Sequence, residues 1–355
     1  MGKLQELEKI KRRNRLTLVG LCILVVVLAV CCLFAGSSGM SVADGLKALM
    51  GKGTPAQNRI IWNIRLPRVL AAIVAGAGLS VAGLIMQSTL GNAMASPSTL
   101  GVSNGAVFGA NLSIIVFSGG FLSTGNNLLN FDVGANPYAT SILAFVFAMG
   151  SVLLILGLCS LRAFSPNVVV LAGIAIGAVW TAATTVLQYY ATDVGLSAAV
   201  VWSFGDLSRA TYLKVAIMAG VVAVSAVYFA LMSWHFNALL SGEAIAKTMG
   251  VKTASLRFVA LLLGSLVTAV CVSFLGIIGF VGIICPHIVK RFLGQDHRVT
   301  IPASLLTGSA LLLLADTCSR TIGNGSALPV GAITSLLGAP FFLFIIFARK
   351  ERGQC

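Results

Sequence analysis

The sequence has few charged residues and very few acidic ones. Of its 355 residues, 24 are Lys or Arg and 10 are Asp or Glu, so charged residues make up only 10% of the chain. A soluble globular domain carries about a quarter. So little charge cannot cover a water-facing surface, and 57% hydrophobic residues exclude a disordered chain. The basic residues are too sparse for a phosphate-tracking patch, so the net charge of +14 does not predict nucleic-acid binding.

Motifs for enzymatic chemistry are missing as well. The sequence has no GxxxxGK[ST] phosphate loop, no GxSxG, no HExxH and no paired carboxylates. Its eight cysteines form no CxxC and no zinc-type spacing, which is typical of small apolar residues in helices. We therefore expect no catalytic residue, no cofactor and no metal site. The histidines are far apart: His287, after Pro286, is expected to be structural, and His235 and His297 are expected to be solvated at inner helix ends.

What the sequence has instead is long stretches without charge. The longest, from Val69 to Phe131, contains 63 residues without Asp, Glu, Lys or Arg. About 20 apolar residues cross the hydrocarbon core of a bilayer as a helix. We therefore predict an all-α polytopic membrane protein with ten transmembrane segments. They are Leu16–Gly36, Pro67–Met86, Thr99–Ser118, Tyr138–Ser160, Asn167–Ala191, Tyr212–Trp234, Phe258–Gly276, Phe280–Lys290, Ile301–Arg320 and Pro329–Phe347.

The distribution of basic residues predicts the orientation. If the segments alternate with the N-terminus inside, 16 basic residues lie on the inner side and 8 outside, as the positive-inside rule requires. Both termini are then cytoplasmic. The predicted organisation is a basic tail over 1–15, one membrane domain over 16–348 and a tail over 349–355. The first segment is longer than the apolar part of a signal peptide, so we expect an uncleaved anchor.

One acid, Asp316, falls within an apolar segment, near its outer end. Arg320 follows four residues later, a spacing that favours an ion pair on one helix face. Ion-coupled transporters commonly bury acids deep in the bundle, and a paired acid near the outer surface is a poor proton relay. This favours an external energy source. An ion-coupled secondary transporter of a small organic solute remains the alternative, and a membrane scaffold or sensor is a second one.

An inner loop, about residues 236–257, carries the signals of a short helix. Ser241 is the expected N-cap, Glu243 and Lys247 are spaced for an ion pair, and Gly250 is the expected end. Its apolar stripe consists of Ala244, Ile245 and Met249. Such a helix fits either an interfacial position on the lipid or docking of a cytoplasmic subunit.

Glycines and arginines mark two further features. The spacing of glycines on the third and fifth segments predicts close helix packing. They are Gly101, Gly105, Gly109, Gly173 and Gly177. On the outer side, Arg65 and Arg68 are interfacial anchors or, together with Arg320, a basic docking surface for an acidic partner.

The motifs, taken in their order along the chain, resemble the membrane permeases of ABC importers for iron–siderophores, haem and cobalamin. They cover roughly Arg65 to Arg349. They are Arg65-Leu-Pro-Arg68, Gly83-Leu-Ile-Met-Gln87, Ser96–Gly105, Gly242–Gly250, Gly279–His287, Asp296-His-Arg298, Ala315-Asp316 with Arg320, Leu328-Pro-Val-Gly331 and Gly338-Ala-Pro-Phe-Phe342.

The resemblance implies a type II ABC importer permease with ten helices in a bacterial inner membrane. It implies a homodimer that works with a pair of cytoplasmic ATP-binding subunits and an extracytoplasmic substrate-binding protein. ATP hydrolysis would belong to the partner, not to this chain. Ferric siderophore is the first substrate expected, with haem and cobalamin behind it; the sequence shows no metal-ligand set, which suits recognition of a whole chelate.

Four groups of site residues follow from the resemblance. The contact with the ATP-binding subunit involves Glu243, Ala244, Lys247 and Gly250. The docking surface for the binding protein is Arg65, Arg68 and Arg320. The cytoplasmic gate is Asn92, Met94, Pro166 and Asn167. The polar candidates on the translocation path are Thr181, Thr184, Thr185 and Gln188.

Two positions depart from the pattern of the family. Ala93 stands where the family usually has Pro after the Asn of the inner loop, which predicts a less rigid turn. Ala327 stands where a Glu usually precedes Leu-Pro-Val-Gly, so an outer contact made by that Glu is not expected here.

Overall fold

The computed structural model describes residues 2–35, 40–118, 137–160, 166–322 and 328–348. These ranges contain α-helices, short 3₁₀ and π segments and no β-strand; one isolated bridge joins Phe204 and Ile277. The α-helices are α1 (Gly2–Phe34), α2 (Val42–Leu49), α3 (Pro55–Arg59), α4 (Leu66–Leu90), α5 (Val102–Asn111), α6 (Pro137–Ser160), α7 (Pro166–Tyr189), α8 (Asp193–Ser203), α9 (Tyr212–Leu231), α10 (Ser233–Leu240), α11 (Glu243–Thr248), α12 (Thr253–Leu275), α13 (Val281–Leu293), α14 (His297–Ile322) and α15 (Val330–Ala348).

Each of the ten predicted segments corresponds to one of these helices, and the all-α fold class is confirmed. Seven helices in the described ranges are long and apolar enough to cross a membrane: α1, α4 with its preceding residues, α6, α7, α9, α12 and α14. The segments predicted as Thr99–Ser118 and Phe280–Lys290 are shorter helices. The first of them is divided into a 3₁₀ turn (Pro97–Leu100), α5 and a π segment (Leu112–Phe117).

The residues outside the predicted segments also form helices. α1 is continuous from Gly2, so the predicted basic tail over 1–15 is helical as far as it is described. The short helices α2, α3, α8 and α10 were not predicted, because none exceeds 11 residues. The predicted tail over 349–355 and the departure at Ala327 lie outside the described residues.

Helix α4 lies at the centre of the bundle, and most of its residues are buried. It packs against α9, α12, α13 and α14. The approach to α14 is so close that a Cβ placed on Gly76 would lie 2.3 Å from the carbonyl oxygen of Gly308. Helix α1, by contrast, is largely exposed on the outside of the bundle.

Helix α13 begins inside the bundle rather than at its surface. The chain turns at Gly276, and Phe280 has a φ of 64°, the left-handed region. Gly282, one residue into α13, faces Gly83 and the carbonyl of Leu79 halfway along α4. Thirteen residues of helix span about 20 Å, so the predicted eighth crossing is a half-helix that does not span the hydrocarbon core.

The glycines predicted to allow close helix packing do so. A Cβ on Gly109 would lie 2.3 Å from the carbonyl oxygen of Leu143 on α6. A Cβ on Gly173 would lie 2.2 Å from the carbonyl oxygen of Thr99. The backbone of α5 therefore approaches α6, and that of α7 approaches the 3₁₀ turn before α5, within distances that any side chain would prevent.

Candidate transport and coupling sites

A groove of about 610 Å³ lies between α7 and the chain that enters α5. Its floor is made of small residues, and its polar groups are hydroxyls and one amide. The lining includes Gly101, Asn104, Gly173, Gly177, Thr181 and Thr185. The groove is open on one side, where α7 exposes apolar residues such as Ile174.

Two side-chain contacts with the same spacing join α5 to α7. The amide of Asn104 donates to the carbonyl oxygen of Gly177 at 3.0 Å and to Oγ1 of Thr181 at 3.2 Å. Seven residues further along each helix, Nε2 of Gln188 donates to Oδ1 of Asn111 at 3.0 Å. The two helices therefore run in the same direction and are fixed in register.

The four residues predicted for the path do not all face the groove. Thr181 and Thr185 are exposed and line it. Thr184 is only 7% exposed and donates to the carbonyl of Trp180, so it faces the bundle, contrary to the prediction. Gln188 is half-buried against Asn111. The four positions share one face of α7, and Thr184 lies about 100° around the helix from Thr185, at the edge of that face nearest the bundle.

The predicted gate residues lie at the ends of α4 and α7. Gly91 ends α4 in the left-handed conformation. In the next turn, Oδ1 of Asn92 accepts from the amide of Met94 at 2.9 Å, and the carbonyl of Asn92 accepts from the amide of Ala95 at 3.0 Å. The turn at Asn92 is thus closed by hydrogen bonds, although position 93 is alanine and not proline.

The other half of the predicted gate is the start of α7. Pro166 is its first residue, and Asn167 is exposed. A role of these residues and of Asn92 and Met94 in gating stays a prediction.

The predicted helix of the inner loop is α11. Its N-cap is Gly242, with a φ of 108°, so the prediction of Ser241 as the cap is wrong. Gly250 follows the helix with a φ of 83°. Nζ of Lys247 lies 2.8 Å from the carboxylate of Glu243, which confirms the predicted ion pair.

Glu243 also anchors α11 to the bundle. Its other carboxylate oxygen lies 2.6 Å from the buried guanidinium of Arg257 on α12. Hydrogen bonds from Lys247 and Arg257 lower the pKa of Glu243 below its ordinary value. Ala246 is buried beneath the helix. The predicted apolar stripe, Ala244, Ile245 and Met249, is exposed.

The three arginines predicted to form the outer docking surface are bound within the chain. Asp316, fully buried, lies 2.6 Å from Nε of Arg68 and 2.9 Å from Arg320. The pairing of Asp316 with Arg320 was predicted from their spacing. Arg65 and Arg68 are 5% and 6% exposed, so neither lies on the surface as an interfacial anchor would.

Arg65 and Arg320 bind the C-terminal end of α1. Arg65 donates to the carbonyls of Leu33 and Phe34, at 2.8 and 3.0 Å. Arg320 donates to the carbonyls of Cys32 and Ala35, at 3.1 and 2.9 Å. The last carbonyls of a helix have no partner within it; here four successive ones receive guanidinium donors.

A polar network that joins α14 to α10 and α4 was missed from the sequence. His297, at the start of α14, is fully buried, so the prediction of a solvated histidine is wrong. Its Nδ1 lies 2.8 Å from Oδ1 of Asn237 and its Nε2 lies 2.8 Å from Oγ of Ser88. Within the described ranges, no group of three or more His, Cys, Asp or Glu residues could hold a metal ion.

Known proteins with similar sequences support this picture. The model of the FecCD transport family matches residues 23–348. A protein named as an ABC transporter permease in Methanocaldococcus jannaschii is 48% identical, over 90% of each chain. The haemin transport permease HmuU of Yersinia pestis is 35% identical, over 95% of this chain and 97% of its own.

A solved structure is similar along nearly the whole chain. It is an ABC transporter described as of the metal-chelate type, in an inward-facing conformation. The two chains share 28% identity with a TM-score of 0.79, covering 94% of this chain and 99% of the other. The resemblance found in the sequence motifs is thereby confirmed, and so is the ABC importer permease fold.

Proposed function

We propose, starting from the fact that the chain belongs to the FecCD transport family of ABC importer permeases, that it imports a metal chelate, with ferric siderophore as the first substrate. The groove on α7 carries this proposal: it is about 610 Å³ in volume, and its lining has hydroxyls and an amide but no charged side chain. A surface of this kind lets a bulky chelate pass without binding it tightly. The relatives named for haemin and for metal chelates support this class of substrate.

A second copy of the chain is proposed to close the groove. Its open side on α7 is apolar: Ile174, which lines the groove, is 61% exposed, and Leu171, three residues earlier, is 66% exposed. Two such faces across a twofold axis would enclose one channel between two protomers. Thr181, Thr185 and Asn104 would supply its polar groups, and the loops at Asn92, Met94, Pro166 and Asn167 would form its cytoplasmic gate.

The contact with an ATP-binding subunit is proposed at α11. Ile245 and Met249 are 51% and 48% exposed, and they share one face with Ala244, as a groove-binding helix would present. Glu243, Lys247 and Gly250 shape this helix rather than offer free charge: Glu243 is held by Lys247 and Arg257, and Gly250 ends the turn.

Docking of a substrate-binding protein is proposed at the outer end of α4 and α14. Arg65, Arg68 and Arg320 meet there, but their guanidinium groups already bind internal acceptors. Acidic groups of a binding protein would therefore compete with Asp316 and with the end of α1. Through this competition, docking would change the contacts that hold α1, α4 and α14 together.

Reconstitution tests the proposed function. The permease is placed in liposomes with its ATP-binding subunit and binding protein, and uptake of ferric siderophore, haemin and cobalamin is measured. We expect ATP-dependent uptake of a chelate, fastest for ferric siderophore. Faster uptake of haemin or cobalamin would contradict the substrate. Uptake that follows a proton gradient without the ATP-binding subunit would instead support an ion-coupled transporter.

A pair of neighbouring substitutions tests the groove. Ala178 lines it, whereas Val179, the next residue, is 64% exposed and does not. Ala178→Trp is expected to reduce uptake at least about tenfold while ATP hydrolysis continues. Val179→Trp, of equal bulk on the same helix, is expected to have a smaller effect. Equal uptake by both variants would contradict a path through this groove.

A further inference from the structure

The network around His297 connects four helices with side-chain hydrogen bonds. His297 lies at the first position of α14 and is fully buried. One ring nitrogen contacts Asn237 on α10, and the other contacts Ser88 on α4, both at 2.8 Å. The imidazole ring is therefore a rigid bridge between α10 and α4.

The orientation of Asn237 is fixed by its partners. Its Oδ1 accepts from the backbone amide of His297 at 2.8 Å, and its Nδ2 donates to Asp296 at 2.7 Å. Because Oδ1 is an acceptor, the Nδ1 of His297 must carry the proton in their contact. A single orientation of the amide satisfies all three contacts, so α10 and the start of α14 are locked together.

From Ser88 the network continues to α13. The preceding residue, Gln87, accepts from Nζ of Lys290 at 3.0 Å and donates to the carbonyl of Gly282 at 3.3 Å. That carbonyl has no helical partner, because Pro286, four residues later, lacks an N–H. Gln87 thus holds the start of the half-helix α13, which lies inside the bundle beside α4.

At its other end the network begins next to α11, the helix proposed to contact the ATP-binding subunit. Only Ser241 and Gly242 separate α10 from α11. Phe236 and Leu239 bury α10 against the bundle on either side of Asn237. A force on α11 therefore reaches Asn237 through a short and packed connection.

We propose that Asn237, His297, Ser88 and Gln87 are positioning residues that transmit movement of α11 to the half-helix α13. This rests on the proposed function, in which α11 contacts an ATP-binding subunit. Displacement of α10 would move the His297 ring, which would in turn pull on α4 and, through Gln87, on the start of α13. The ring can transmit this displacement because it is hydrogen-bonded on both sides and fully buried.

The matched variants are Ser88→Ala and Thr89→Val. Each removes one buried hydroxyl from adjacent positions of α4. The hydroxyl of Thr89 bonds only to the carbonyl of Ile85 in its own helix, whereas that of Ser88 also contacts His297.

Uptake and ATP hydrolysis are measured together in proteoliposomes with the ATP-binding subunit and binding protein, and thermal unfolding in detergent checks the fold. Ser88→Ala should lower uptake per ATP by roughly fivefold or more. Thr89→Val should leave it unchanged.

Further variants separate a relay from a general weakening. Asn237→Ser, on the other side of the ring, should also lower uptake per ATP, and it replaces Ser88→Ala should that variant not fold. The double variant should be no worse than the more severe single one, because both break the same chain. Additive losses in the double variant would overturn the relay, and so would equal uptake per ATP for Ser88→Ala and Thr89→Val. In either case, ATP-driven uptake by the wild type would leave the proposed function intact. A wild type without ATP-driven uptake overturns both.

Discussion

The carboxylate of Asp316 on α14 lies 2.6 Å from Nε of Arg68 on α4, and both side chains are nearly inaccessible. The acid also pairs with Arg320 one turn later on α14. Two cations around one buried acid cross-link the start of α4 to the last turns of α14. A buried charge without a partner costs several kcal/mol, so the three charged groups stabilise the fold only while all of them are present.

Replacement of Asp316 by Asn should therefore destabilise the protein strongly. Asp316→Asn leaves Arg68 and Arg320 buried without an anion, and breaking a buried pair typically costs about 3–5 kcal/mol. Thermal unfolding in detergent measures the change. Asp193→Asn, at an exposed acid on α8, is the control and should shift the free energy of unfolding by less than about 0.5 kcal/mol. Similar shifts for the two variants would contradict a structural role of the buried cluster.

Loss of Arg65 should loosen the end of α1. Its guanidinium binds the carbonyls of Leu33 and Phe34, and most of α1 is exposed. Arg65→Met should raise hydrogen exchange of the last turn of α1, with little effect in α12. Arg59→Met, at an exposed position, should not. Unchanged exchange at residues 31–35 in Arg65→Met would show that α1 is held by other contacts.

The attachment of α11 to α12 should fail only in acid. The pKa of Glu243 is lowered from 4.5 by Lys247 and Arg257, so the ion pairs are complete above the ordinary pKa and are lost as the pH falls through the lowered one. A spin label at Ile245→Cys, in a background without other exposed cysteines, should gain mobility only below about pH 4.5.

The same label in Glu243→Gln serves as the control. This variant lacks the carboxylate, so the label should be mobile at all pH values between 4 and 7 and should show no transition. A label that is equally immobile at pH 7 with Glu243→Gln would contradict the anchoring role of Glu243. Lys247→Gln should have a small effect, since Lys247 is 61% exposed and exposed pairs contribute little.

The sequence predicts the helices well because hydrocarbon imposes one rule on every crossing. A run such as Tyr138–Ser160 has no charge to place in lipid and must satisfy its backbone within a helix. That rule does not extend to α13, whose position inside the bundle depends on Gly83 and Gly282 meeting across two helices. Contacts between distant segments leave no periodic pattern in a single sequence.

Contacts of polar residues are likewise predictable only when the partners are close in the sequence. The pair Asp316 and Arg320 is predictable because both lie on one helix four residues apart. The partners of His297 are 60 and 209 residues away, so nothing near it in the sequence indicates that it is buried. A local signal did exist for Asn104 and Asn111, which are seven residues apart and share a helix face with the same spacing as Thr181 and Gln188.

Close packing of α4 against α13 gives the most discriminating substitution. A Cβ on Gly83 would lie 1.8 Å from the carbonyl oxygen of Gly282, a backbone atom that cannot rotate away. Gly83→Ala should therefore separate the two helices and destabilise the protein by about 1–3 kcal/mol or more. Gly157→Ala on α6, where nothing lies within 4 Å of the added Cβ, should be neutral or stabilising by up to about 1 kcal/mol. Thermal unfolding of both variants in one detergent decides the matter. Equal stability would mean that α13 does not approach α4 at Gly282, and the contact of Gln87 with that carbonyl would be wrong with it.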